Sequence, residues 1–163
     1  MRIAVGSDHA AYDLKTEMVS TLRELGHEVV DFGPGSPDPV DYPDIALAVA
    51  RAVAAGEVDR GVVACGTGVG VSIVANKVPG VRAALCHDTF SARASRQHND
   101  ANVLCLGARV IGPGLALEVL KAWLRAEFER GGRHERRVRR ITEIEAGLGP
   151  RQGDGRPGGG GRP

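Results

Sequence analysis

The chain has 163 residues, the length of one ordinary domain. Lys and Arg total 21 against 20 Asp and Glu, so the chain lacks the positive excess that grips nucleic acid by bulk charge. Hydrophobic residues reach 42% with aromatics at only 4%, enough for a core of Val, Leu, Ile and Ala, and no apolar run is long enough to span a membrane.

Strand-like and helix-like segments alternate from the N-terminus. Arg2 to Gly6 reads as a strand that begins at once, with no leader pattern before it. Ala11 to Leu25 carries Leu14, Met18, Leu22 and Leu25 three or four apart, which is helical spacing, and Gly26 stops it. Glu28 to Phe32 is a second strand. Gly33 to Pro43 is rich in Pro and Gly and reads as an irregular loop. An Ala- and Val-rich helix covers Asp44 to Ala55, and Arg60 to Ala64 is a third strand. Helical residues resume at Val71. Val81 to Cys86 is a fourth strand, Asp88 to Gln97 a helix, and Ala101 to Leu106 a fifth strand. Pro113 to Arg130 and His134 to Ala146 are helices.

Strands that alternate with helices imply an α/β fold. We expect a three-layer αβα sandwich with a Rossmann-like five-stranded parallel sheet, helices on both faces and a C-terminal helix. Residues 1–148 form the expected domain. Residues 149–163 are almost entirely Gly, Pro, Arg and polar residues, which bury little apolar surface, so a disordered tail is expected there. Three cysteines with no CxxC pair fit a reducing, cytoplasmic setting. Cys86 and Cys105 sit in apolar runs and read as small core residues.

Ligands in such sheets bind at the carboxyl ends of the strands. That rule selects Ser7-Asp8-His9, Cys65 to Gly70, His87-Asp88 and Gly107-Ala108-Arg109. Cys65-Gly66-Thr67-Gly68-Val69-Gly70 is the most informative of these. Its glycines let a ligand approach the backbone, a helix start attracts anions, and the same field favours a thiolate. Cys65 is either a reactive sulfur or another small residue closing a buried strand. Asp8 is either an N-cap or a ligand. His9, at a helix start, is placed to donate to a phosphate. Arg133 and Arg137 share one helix face, which is either solvated or a phosphate grip. The glycine loop has a nucleotide-binding rival, with Asp88 as the acidic partner. Its spacing is GxGxG rather than GxGxxG, and it follows the third strand rather than the first. The histidines lack metal-ligand spacing, so no metal is expected. Arg96-Gln97-His98-Asn99-Asp100 falls in a loop at the far end of the strands from Cys65. For His98 to join Cys65, it would have to come from another subunit.

Taken together, several motifs carry a resemblance. They are Gly6-Ser7-Asp8-His9-Ala10, Asp41-Tyr42-Pro43, Cys65 to Gly70, Ala75-Asn76-Lys77, Ser95 to Asn102, Gly107-Ala108-Arg109 and Gly132-Arg133-His134. From about Met1 to Ala146 the chain closely resembles ribose-5-phosphate isomerases of the B type, a family that includes allose-6-phosphate and galactose-6-phosphate isomerases. The resemblance implies interconversion of ribose 5-phosphate and ribulose 5-phosphate with no metal or other cofactor. It also implies an obligatory homodimer with sites at the interface, a tetramer being the alternative, and no nucleic-acid or membrane partner. Cys65 stands where one branch of the family has its catalytic cysteine, and Val71-Ser72-Ile73 offers no glutamate in its place. Cys65 is then the base and His98 opens the sugar ring, with Thr67 or Asp8 assisting. The backbone of Gly66, Thr67, Gly68, Val69 and Gly70 cradles the substrate. His9, Arg109, Arg133 and Arg137 hold the phosphate, and Asn99 contacts sugar hydroxyls.

Overall fold

The computed structural model describes residues 1–148; the expected tail lies outside them. Five strands form one parallel sheet: β1 (Arg2–Ser7), β2 (Glu28–Asp31), β3 (Arg60–Cys65), β4 (Ala83–Leu85) and β5 (Val103–Gly107), in the order β2-β1-β3-β5-β4. Six helices connect and flank them: α1 (Tyr12–Glu24), α2 (Tyr42–Ala54), α3 (Val69–Ala75), α4 (Thr89–Asn99), α5 (Pro113–Arg125) and α6 (Arg133–Glu145).

Side chains alternate along the central strands, and each face feeds its own core. Val62 and Ala64 of β3, with Leu104 and Leu106 of β5, pack against Leu14, Met18 and Leu22 of α1 and Leu120 and Trp123 of α5. Val63, Cys65, Val103 and Cys105 face the other way, onto Val49, Ala50 and Val53 of α2 and Val71 and Ala75 of α3. The expected three layers are therefore present. Burial on both faces explains why these strands read as continuous apolar runs.

Several boundaries differ from the sequence reading. α2 starts two residues early, at Tyr42, because Pro43 sits in its first turn where the missing N–H costs nothing. α3 starts at Val69, because Gly68 supplies the turn with φ of 76°. α5 stops at Arg125 rather than Arg130. Ala126 turns extended and is buried, and the Glu129 N–H donates to the Gln97 carbonyl at 3.0 Å, which ties this segment to the end of α4. α6 packs on α4, and Glu145 accepts from the Gly80 N–H at 2.8 Å.

Because every strand is parallel, their carboxyl ends share one edge of the sheet. α4 runs back from the end of β4 to the start of β5. Arg82, just ahead of β4, donates to the Asn99 and Asp100 carbonyls, both at 3.0 Å, which fixes the end of α4 at the opposite edge.

Candidate active site

The carboxyl edge gathers most of the expected residues around Cys65. The thiol closes β3, is 5% exposed, and its sulfur accepts the Gly68 N–H at 3.1 Å. Thr67 Oγ1 accepts the Val69 N–H at 3.3 Å. Two of the loop's five expected backbone donors are therefore spent on the loop itself. Asp8 bonds the Ala11 N–H through Oδ1 at 3.2 Å, and its own N–H reaches the Ala64 carbonyl at 3.1 Å. It serves as a cap at the edge of the site. His9 is exposed, with Nδ1 accepting the Val40 N–H at 3.4 Å.

Arg109 belongs to the same cluster. The Ala108 and Arg109 N–H groups donate to the Cys65 and Gly66 carbonyls, both at 2.9 Å. A Cβ at Gly66 would sit 3.4 Å from Arg109 Cδ, so the guanidinium arm lies along the glycine loop. A Cβ at Gly70 would fall 2.6 Å from the Tyr42 ring. Tyr42 thus covers the loop; in the sequence it shows only as part of the Asp41-Tyr42-Pro43 motif.

The other two cysteines lie in the core away from the glycine loop. Burial pushes the thiols of Cys86 and Cys105 up, the latter strongly, with neighbouring thiols adding to it. Both are core residues, as expected. Asp88 is committed as well. Its carboxylate caps α4, taking the Ser91 N–H and hydroxyl at 2.7 Å each, and these bonds hold it below the usual carboxylate range. One bond to each oxygen gives Asp88 a capping role in this fold.

The remaining expected residues lie at the opposite edge. His98 stacks on His134, with ring centroids 4.2 Å apart and planes inclined by 10°. Glu129 reaches both imidazoles, at 3.9 Å from His98 Nε2 and 3.6 Å from His134 Nε2. Arg133 Nε approaches His134 Nε2 at 3.3 Å. Arg133 and Arg137 are exposed on α6, and Asn99 is exposed at the end of α4. Arg96 and Asp100 build the scaffold here: Arg96 binds Asp100 at 2.8 Å and the Ala101 carbonyl at 2.7 Å.

His98, Glu129 and His134 bring three possible metal-ligating atoms within 4.8 Å of one another. The cluster is not legible in the sequence, because Glu129 and His98 lie far apart along the chain. A bound ion sits near the plane of each imidazole that ligates it. Two stacked, nearly parallel rings offer no common in-plane point between them, and the Arg133 cation is already on His134. The arrangement is a carboxylate-held imidazole stack and does not fit a metal centre. No helix among the described residues is long and apolar enough to cross a membrane.

Comparison with known proteins shows the family. The ribose-5-phosphate isomerase B of Escherichia coli K12 is 54% identical over 144 residues, covering 88% of this chain and 96% of that protein. The D-erythrulose-4-phosphate isomerase of Pectobacterium atrosepticum is 52% identical over 134 residues, covering 81% and 88%. The solved structure of Clostridium thermocellum ribose-5-phosphate isomerase B superposes with a TM-score of 0.88 at 56% identity, over 91% of this chain and all of that one. The sequence model of the ribose/galactose isomerase family matches residues 3–141, and this chain, with its loop thiol and neighbouring arginine at the carboxyl edge of the sheet, belongs to that family.

Proposed function

We propose that the protein interconverts D-ribose 5-phosphate and D-ribulose 5-phosphate, with Cys65 as the base. The observation that carries this reading is the pairing of the Cys65 thiol with Arg109 on one glycine loop. A proton-transfer group and a phosphate-binding cation are thereby held side by side. Identity above 50% to proteins named ribose-5-phosphate isomerase B supports the pentose phosphate.

The furanose ring opens first. His98, from the second subunit of a homodimer, moves a proton between the anomeric hydroxyl and the ring oxygen, with Thr67 or Asp8 assisting. Cys65 as thiolate then takes the proton from C2 of the open aldose. Charge passes to O1 and gives an enediolate. The Gly68 and Val69 donors are directed at loop atoms, so stabilisation of that oxyanion falls to the Gly66, Thr67 and Gly70 N–H groups. A proton shifts from O2 to O1, and the Cys65 thiol returns its proton to C1. The carbonyl now stands at C2 and the thiolate is restored. His9 and Arg109, with the partner copy's equivalents of Arg133 and Arg137, hold the phosphate, and the partner copy's equivalent of Asn99 meets the sugar hydroxyls. On this reading no metal takes part.

The test is isomerase activity on ribose 5-phosphate for the wild type and Cys65→Ala, with a chelator present. Turnover that survives chelation and collapses in a folded mutant supports the mechanism. Full activity in the mutant refutes it. A second reading has a specific basis. A relative 52% identical is named for D-erythrulose 4-phosphate, so four-carbon phosphates belong in the substrate panel beside allose and galactose 6-phosphates.

A further inference from the structure

The loop after β4 has no part in the chemistry above, yet one of its side chains holds the site together. β4 ends at Leu85, while β5 continues to Gly107. The last backbone bond between them runs from the Cys86 N–H to the Cys105 carbonyl at 3.2 Å. The next donor on that side of β5 is the Gly107 N–H, and β4 has no carbonyl left for it. His87 supplies the acceptor instead: its Nε2 takes the Gly107 N–H at 3.1 Å. A Cβ at Gly107 would fall 2.9 Å from that nitrogen and 2.5 Å from the Thr67 carbonyl oxygen. The imidazole, Gly107 and the Thr67 turn are therefore in direct contact.

Both flanks of His87 are anchored. Asp88 is locked into the α4 cap by its two bonds to Ser91. On the other side of β5, Ala108 and Arg109 donate to the Cys65 and Gly66 carbonyls. The segment that presents Arg109 is thus clamped between β3 and His87. An acceptor at Nε2 requires that nitrogen to be unprotonated, with the ring proton on Nδ1.

We propose that His87 is a positioning residue for the isomerase site: its Nε2 fixes the Gly107 N–H and so holds Arg109 along the glycine loop for the substrate phosphate. The kinetic consequence rests on the sugar-phosphate reading of the site; the hydrogen bond itself does not. Glutamine carries a carbonyl oxygen at similar reach and should replace the nitrogen, whereas phenylalanine fills the space without an acceptor.

The experiment compares wild type, His87→Gln and His87→Phe in the full chain, with ribose 5-phosphate as substrate and inorganic phosphate as competitive inhibitor. His87→Phe is expected to raise KM and the phosphate inhibition constant about tenfold, the loss of one such bond, with kcat falling less. His87→Gln is expected within about threefold of wild type. Wild-type constants in His87→Phe, or equal damage in both variants, overturn the proposal. Nitrogen-15 NMR of the wild type gives an independent reading that survives a misfolded variant. An unprotonated Nε2 coupled to the Gly107 amide supports the clamp, and a protonated Nε2 overturns it. If the wild type turns over no sugar phosphate, the isomerase reading fails, while the NMR result and phosphate binding still decide the role of His87.

Discussion

The two edges of the sheet hold chemistry of different kinds. The carboxyl edge is built from backbone: glycines, loop carbonyls and N–H groups converge on Cys65, and side chains such as Arg109 and Tyr42 are laid over them. The opposite edge is built mainly from side chains, with His98, His134 and Glu129 in contact and Arg133 and Arg137 on exposed helix beside them. The first arrangement suits proton abstraction and anion stabilisation at fixed positions. The second suits a movable proton and a flexible phosphate grip. On the proposed mechanism neither edge is a complete site by itself, and two copies of the chain supply it.

The sharpest way to break the comparison is at its chemical centre. Cys65→Ala is expected to lower kcat about 10²–10⁴-fold without unfolding the protein, because a small residue replaces a small one at the end of β3. Turnover at fixed pH checks it. His98→Asn should cost less, about a hundredfold, and mainly with ring-closed aldose as substrate. The reverse reaction, from an open-chain ketose, should suffer less, and rates in the two directions measure the difference.

Smaller effects separate the two styles of construction. Gly107→Ala is expected to destabilise by about 1–3 kcal/mol, because the new methyl meets the Thr67 carbonyl backbone, which has little room to retreat. Gly56→Ala, at a positive φ but with open space around it, should cost only about 1 kcal/mol. Chemical denaturation of both variants compares the crowded edge with an open turn. On the side-chain edge, Arg137→Ala should raise KM about tenfold while kcat holds, the loss expected of one charge-assisted phosphate contact.

The smallest expected effect is on pH. Burial, the His98 ring and Arg133 hold His134 below the ordinary histidine range. Below that ordinary value the unfolded chain binds a proton that the folded chain refuses, so stability falls as pH drops from about 6.5 toward the depressed folded value. His27, lowered by burial and the nearby N-terminus, acts with the same sign. Melting temperature should therefore decline from pH 7 to pH 5, and His134→Asn should flatten part of that decline. An unchanged slope would show that the stack does not shift His134.

The carboxyl edge was the more legible of the two in the sequence. Glycines at a strand end have few other uses, and Cys65 among them stands out from Cys86 and Cys105, which lie in apolar runs. The alternation of strands and helices was equally open, since the central strands β1, β3 and β5 are buried on both faces. What stayed hidden depends on contacts between segments distant in the chain. The end of α5 is one case: no glycine or proline lies between Leu115 and Arg130, and the chain leaves the helix where Ala126 is buried and Glu129 ties to Gln97. The stack of His98 on His134 is another, as is the reach of His87 to Gly107, where a side chain substitutes for backbone that a longer β4 would have supplied. Tyr42 was seen as part of a motif, but its place over Gly70 is a matter of packing between α2 and the glycine loop.

The central claim is that the two edges complete one another across a pair of subunits. The direct test mixes Cys65→Ala with His98→Asn, each strongly impaired alone with ribose 5-phosphate, after reversible dissociation. In a heterodimer one site inherits both defects and the other inherits neither, so random pairing should restore about a quarter of wild-type activity. Recovery near that level is the predicted result. Mixtures that exchange subunits and stay inactive would contradict the account, because Cys65 and His98 would then have to serve the same site from the same chain.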